Sequence, residues 1–204
     1  MGANVYGFSL KPNKKSLFNE IRIHENIKSY FGDINNYNKF NIFVKKVKPE
    51  IIFHLAAQPL VIDSYNDPIK TYEINVLGSV NVLESIYNNK FTRAGIIVTT
   101  DKCYKNKSNK KSFKETDELG GKDPYSLSKV FVEQLVEQYK KNHKKRKRIA
   151  TVRAGNVLGP GDYSKYRIIP DIIRAIENKQ KIIIRNPKST IFFNGVSKIF
   201  PIFI

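Results

Sequence analysis

The chain has 204 residues, and 36 Lys and Arg against 18 Asp and Glu leave a formal net charge of +18. Hydrophobic residues at 41% and aromatics at 12% exclude a disordered or collagen-like chain, and the length suffices for a sizeable core. No uninterrupted apolar run of about 18 residues or more occurs, and the apolar tail over residues 191–204 is broken by Asn194, Gly195, Lys198 and Pro201, so no membrane-spanning helix is expected. A single cysteine, Cys103, allows no internal disulfide. With no basic-then-apolar leader at the N-terminus, a reduced, cytoplasmic setting is the default expectation.

In chain order, residues 5–10 read as a short β-prone strand ended by Lys11-Pro12-Asn13, and residues 29–34 as a second strand closing on Gly32-Asp33. The spacing of Phe40, Phe43, Val44 and Val47 predicts a helix over residues 37–47, stopped by Lys48-Pro49. Residues 51–56 form a near-continuous apolar run, the pattern of a strand covered on both faces. A long helix is predicted over residues 68–87, then a buried strand over 94–100. Asp123-Pro124 supplies an N-cap and a first-turn proline for a helix to about residue 142. A strand over 149–153, a helix over 168–178 and a short strand over 181–185 complete the pattern. Strands alternating with helices imply crossover units, hence an α/β fold with a mostly parallel sheet.

Several of these elements end in residues that could do chemistry. Tyr125-Ser126-Leu127-Ser128-Lys129 sets a phenol and an ammonium at i and i+4 on one helix face, where the cation would favour phenolate and make a general base. The same spacing also occurs on solvated helices. Thr99-Thr100-Asp101-Lys102 ends a buried strand, the place where open α/β sheets hold ligands. A surface Asp-Lys pair is the plainer alternative. His54-Leu55-Ala56-Ala57-Gln58 ends another strand, its small residues permitting either close ligand approach or tight helix packing. Asn75 lies within an apolar helix, where asparagine is disfavoured unless its amide bonds a neighbour.

Together and in this order, the segments around His54 to Gln58, Asn75 to Gly78, Thr99 to Tyr104, Leu119 to Gly121, Asp123 to Ser126, Arg153 to Val157 and Ile169 to Ile172 resemble the extended short-chain dehydrogenase/reductase family. Within it they are most similar to nucleotide-sugar 4,6-dehydratases of the CDP-glucose type, in which Lys stands after the Asp where sister enzymes carry Glu. The resemblance covers about residues 1–190. It implies a Rossmann-like doubly wound parallel sheet, bound NAD, a nucleotide-sugar substrate (CDP-glucose), and a homodimer built through the helices near residues 68–87 and 123–142. It also implies roles. Tyr125, Lys129 and Thr100 would take the proton of the sugar 4-hydroxyl, and Asp101 and Lys102 would serve as acid and base for the loss of water. Asp33 and Ile34 would flank the adenine; Leu55, Ala56, Ala57, Gln58, Asn75 and Thr99 would line the cofactor, and Asn156 and Arg185 the sugar nucleotide.

Family members open on a strand and a Gly-x-x-Gly-x-x-Gly loop that holds the pyrophosphate at a helix N-terminus. Gly2 and Gly7 lack that spacing, and the first residues match the family's second strand. The expectation is therefore a fragment shortened at both ends: a dinucleotide-binding domain over residues 1–157 without its first strand and glycine loop, then an incomplete substrate region over 158–204 whose tail diverges from about 191. The charge invites another class of reading, a basic protein for nucleic acid or an anionic surface, or a non-catalytic partner of an intact relative. Seven of the basic residues fall in one run over residues 140–148, with no aromatic side chain interleaved for base stacking. A solvated connection between helix and strand is its ordinary explanation, so nucleic acid is not the expected partner.

Overall fold

A computed structural model describes residues 2–105, 112–142, 147–185, 187–188 and 193–195. Among the described residues the chain forms seven strands and seven α-helices: β1 Tyr6–Ser9, α1 Leu17–Glu20, β2 Lys28–Phe31, α2 Tyr37–Val47, β3 Ile51–His54, α3 Val61–Asn66, α4 Pro68–Tyr72, α5 Gly78–Tyr87, β4 Ala94–Thr100, α6 Pro124–Asn142, β5 Arg148–Ala154, β6 Asn156–Leu158, α7 Ile168–Glu177 and β7 Phe193–Gly195. Two compact units result, one of residues 1–11 with 27–154 and one of residues 12–26 with 155–204.

The first unit is an α/β layer structure in which every ladder is parallel. β1 pairs with β2, and β4 lies between β3 and β5. Among the described residues β1 and β3 carry no partner on their other edges, so the parallel strands fall into two sheets. A doubly wound sheet without its first strand has this pattern.

Register explains where the core lies. Ile52, Gly95 and Ile149 are laterally aligned, as are His54, Ile97 and Thr151. These side chains share one face, since neighbours in register point the same way. That face is packed under Phe40 and Val44 of α2, Val82, Leu83 and Ile86 of α5, and Val132 and Val136 of α6. The opposite face is barer. Ile51 is 52% and Phe53 40% exposed, so the run over residues 51–56, expected to be covered on both faces, is less fully covered on this one. No helix among the described residues is long and apolar enough to cross a membrane.

The helix expected over residues 68–87 is broken. α4 passes into a π-turn at Glu73–Leu77 before α5 begins, and Asn75 sits fully buried within that turn. Widening one turn rotates a side chain that would otherwise point elsewhere, a common device at working sites. α6 starts where Asp123 caps it, its carboxylate accepting from the Ser126 backbone N–H at 2.9 Å and the Ser126 hydroxyl at 2.6 Å. Just before it, a Cβ on Gly121 would lie 2.3 Å from the Leu127 backbone nitrogen, so only glycine allows that approach.

In the second unit β6 and β7 form a parallel pair, and Gly161, at φ +71, lies over Leu17. Tyr163 donates to the Glu20 carboxylate at 2.5 Å and receives the Lys15 ammonium 4.8 Å over its ring. Residues 181–185, expected as a strand, form none. Three successive isoleucines favour β structure, but Ile182, Ile183 and Ile184 are 48–79% exposed and among the described residues no ladder partner meets them. The tail expected to diverge from residue 191 lies, apart from residues 193–195, outside the described residues.

Candidate functional site

β3 and β4 deliver their C-terminal ends to the same side of the sheet, and α6 begins near them with the Tyr125–Lys129 face. Tyr125 is 9% exposed and Lys129 4%. Among the described residues no carboxylate pairs with Lys129; its ammonium donates to the Val98 carbonyl at 3.3 Å. Burial lowers it from the ordinary lysine value to about 8. A buried ammonium with a single long hydrogen bond retains donors to spare, which is the form expected of a group waiting for a diol or a phenolate.

Around it runs a connected polar network. Asn75 pairs both backbone groups of Gln58: its side-chain oxygen accepts from the Gln58 N–H at 2.8 Å, and its amide donates to the Gln58 carbonyl at 3.1 Å. The same amide donates to the Ser128 hydroxyl at 2.9 Å, which in turn donates to the Tyr125 carbonyl at 2.6 Å. Gln58 is held further by Thr71 at 2.9 Å and Leu60 at 2.5 Å. The π-turn thus ties the loop of residues 55–58 to the first turn of α6.

His54 closes the network from below. Its Nε2 lies 2.9 Å from the Ser79 hydroxyl, which donates to the Asn75 carbonyl at 2.6 Å. Because that hydroxyl proton is already committed, the bond is satisfied when Nε2 carries the donor hydrogen. Burial, reinforced by the Lys129 charge, lowers the imidazole to about 3. His54 is a structural histidine, not a proton carrier near neutral pH.

At the end of β4, Thr100 caps the 3₁₀ turn Asp101–Cys103, accepting from the Lys102 N–H at 3.3 Å and donating to the Asp101 carboxylate at 3.3 Å. Asp101 is half-buried, Lys102 is exposed and Cys103 is fully buried. Burial pushes the Cys103 thiol up to about 11, which leaves it unreactive. Thr99 points to the opposite face, where its hydroxyl donates to Glu133 at 2.5 Å. Glu133 also accepts from Thr151 and Arg153, both at 2.9 Å. Sequence reasoning passed over Glu133; its position one turn after Lys129 on the same helix is the only signal.

Asp33 lines a cleft of about 390 Å³ together with Asn35, Asp67, Ile69, Lys70, Glu73 and Ile74. Ile34 packs against Gly78, where a Cβ would come within 2.9 Å of it. Asn156 and Arg185 belong to the second unit, in which Asn156 is exposed and Arg185 pairs with Asp171 at 2.8 Å and stacks over Tyr166. Of the basic run over 140–148, residues 143–146 lie outside the described residues. Lys140 and Lys141 pair with Glu137, while Lys147 donates to the carbonyls of Asn89, at 2.5 Å, and Thr92. Among the described residues no cluster of side chains could hold a metal ion.

The family model described as the NAD dependent epimerase/dehydratase family matches residues 2–192. The chain is 43% identical over 197 residues to the CDP-glucose 4,6-dehydratase of Salmonella typhimurium, covering 93% of this chain and 55% of that protein. It is 32% identical to the dTDP-D-glucose 4,6-dehydratase of Dictyostelium discoideum, covering 88% of this chain and 44% of that one. Among solved structures, dTDP-glucose 4,6-dehydratase from Bacillus anthracis in complex with NAD superimposes with a TM-score of 0.79 at 22% identity, over 95% of this chain and 59% of that chain. The chain therefore spans about half the length of the curated relatives it matches.

Proposed function

For a chain that belongs to the NAD dependent epimerase/dehydratase family, we propose a nucleotide-sugar 4,6-dehydratase that acts on CDP-glucose with NAD. One observation carries the chemistry: a buried Lys129, with no carboxylate partner among the described residues, stands one helical turn from Tyr125, beside a strand that ends in Thr100 with Asp101 opening the turn that follows. The 43% identity to a CDP-glucose enzyme supports the choice of sugar nucleotide, as does the lysine at position 102.

The residues fit the ribose and nicotinamide end of a dinucleotide. Lys129 has donors left for ribose hydroxyls, and the Asn75 clamp fixes the backbone over residues 55–58. They offer no counterpart to a pyrophosphate loop, because the 204 residues contain no Gly-x-x-Gly-x-x-Gly. When bound beside these residues, NAD would supply the reversible hydride acceptor that the reaction needs. Tyr125, with the Lys129 ammonium one helical turn away, would take the proton of the 4-hydroxyl with Thr100 orienting that oxygen. The resulting ketone acidifies the C5 proton, which Lys102 removes, and Asp101 protonates the departing C6 hydroxyl. Lys102 is exposed, so the desolvation that base chemistry requires comes from substrate covering the turn. A homodimer through the segments near residues 68–87 and 123–142 fits the exposure of Ile69 at 72%, Leu77 at 57% and Phe131 at 39%.

Thermal melting separates this reading from a basic nucleic-acid binder. NAD and CDP-glucose together should raise the melting temperature, and duplex DNA should not. Stabilisation by DNA alone, falling steeply with salt, would overturn it.

A further inference from the structure

The turn that carries Asp101 and Lys102 is fastened to α6 by groups that the proposed chemistry does not use. Tyr104 ends the turn, its N–H donating to the Asp101 carbonyl at 3.2 Å. It is 8% exposed, and its hydroxyl accepts from Arg153 at 3.0 Å while the guanidinium carbon lies 4.9 Å from its ring centroid. Phe113 stacks on that ring with centroids 4.6 Å apart. Arg153 reaches in two further directions, to the Glu115 carbonyl at 2.9 Å and to the buried Glu133 carboxylate at 2.9 Å. Glu133 belongs to α6, on the face that β4 and β5 present through Thr99 and Thr151. A continuous path therefore runs from the helix of Tyr125 and Lys129, through one carboxylate, one guanidinium and one phenol, to the turn of Asp101 and Lys102.

Such a path is costly to build. A carboxylate in the sheet–helix interface is tolerated only when fully paired, and Glu133 is satisfied by two hydroxyls and the guanidinium. An apolar pair would pack the same space without specifying where the turn sits. Resting on the dehydratase reading above, we propose that Glu133, Arg153 and Tyr104 are positioning residues that lock the Asp101–Cys103 turn to α6. The proton acceptor for C4 oxidation and the acid and base for loss of water are thereby held at a fixed separation over one sugar. The bracket acts on the dehydration half of the reaction, because Tyr125 and Lys129 sit on the helix itself and Thr100 is held in the β4–β5 ladder opposite Ala154, so all three keep their places without it.

Two variants of the full chain test this. Tyr104→Phe keeps both ring contacts and removes one acceptor, and Glu133→Gln removes the central charge. In Tyr104→Phe, amide hydrogen exchange at Tyr104, Lys105 and Gly120 should quicken about fivefold, the equivalent of one net hydrogen bond, with α5 and the start of α6 unchanged. Glu133→Gln should move the same amides further. Unchanged exchange at these amides in both variants, or quickening spread through α6 in Tyr104→Phe, overturns the proposal. In turnover of CDP-glucose with NAD, Tyr104→Phe should oxidise C4 at the parental rate yet lose water about fivefold more slowly, so reduced nicotinamide accumulates. Equal slowing of both steps also overturns it. A parent chain inert toward CDP-glucose refutes the dehydratase reading instead, and the exchange result still decides whether the bracket holds the turn.

Discussion

Lys129 is where burial and chemistry meet most directly. In the folded chain it releases its proton near pH 8, whereas the ordinary lysine value is 10.5. Between those values the unfolded state binds more protons, so stability rises with pH across the window, and below it the buried charge is a standing cost. Lys129→Met should remove that slope: the melting temperature of the parent should climb more between pH 8 and 10.5 than that of the variant. Identical slopes would mean that Lys129 is not held in a desolvated setting. Tyr125 and Lys129 were legible in the sequence because i and i+4 on a helix fix their neighbourhood without tertiary information. Glu133 and Arg153 were not, because their meeting depends on the register of β5 against β4 and on which face α6 covers. Thr99 shows the same limit. Its hydroxyl is engaged by Glu133 on the face opposite Thr100, a contact that strand periodicity alone does not name.

Elements rather than single side chains set the precision of the site. The apolar period over residues 68–87 predicts one helix, and the anomaly of Asn75 inside it was visible, but the π-turn that resolves the anomaly was not. Its cause lies in partners remote in sequence, Gln58 and Ser128. The N-terminus of α6 was legible to the residue through Asp123-Pro124. Its dependence on Gly121 follows only from the 2.3 Å approach to the Leu127 nitrogen. Gly121→Ala must push the first turn of α6 outward, and with it Tyr125. It should cost about 2–3 kcal/mol in urea unfolding, well above an ordinary surface change. A loss under about 0.5 kcal/mol would show that the turn relaxes freely. The isoleucines over residues 182–184 mark the converse failure, in which strand propensity met no ladder.

On the scale of the whole molecule, two parallel sheets in one unit, with β1 and β3 unpaired at their edges, agree with a sheet expected to lack its first strand. The exposure of Ile51 and Phe53 is in keeping with β3 being an edge strand among the described residues, its core-facing Ile52 and His54 lying with the residues packed by the helices. The apolar side chains left on α4 and α6 are the proposed dimer surface. Phe131→Glu should shift the chain from dimer to monomer in sedimentation without unfolding it; a parent that sediments as a monomer would contradict that surface. Of the basic residues behind the net charge of +18, seven lie in the run over 140–148, where Lys140, Lys141 and Lys147 are already engaged by this chain's own carboxylate and carbonyls. The charge suits an anionic sugar nucleotide without calling for DNA. The central claim, intramolecular transfer of hydride between two carbons of one sugar, is tested most directly with CDP-glucose labelled by deuterium at C4 and incubated with the chain and NAD. The account predicts a 4-keto-6-deoxy product carrying the label at C6. Sugar recovered without loss of water, its label still at C4 or lost to solvent, would contradict it.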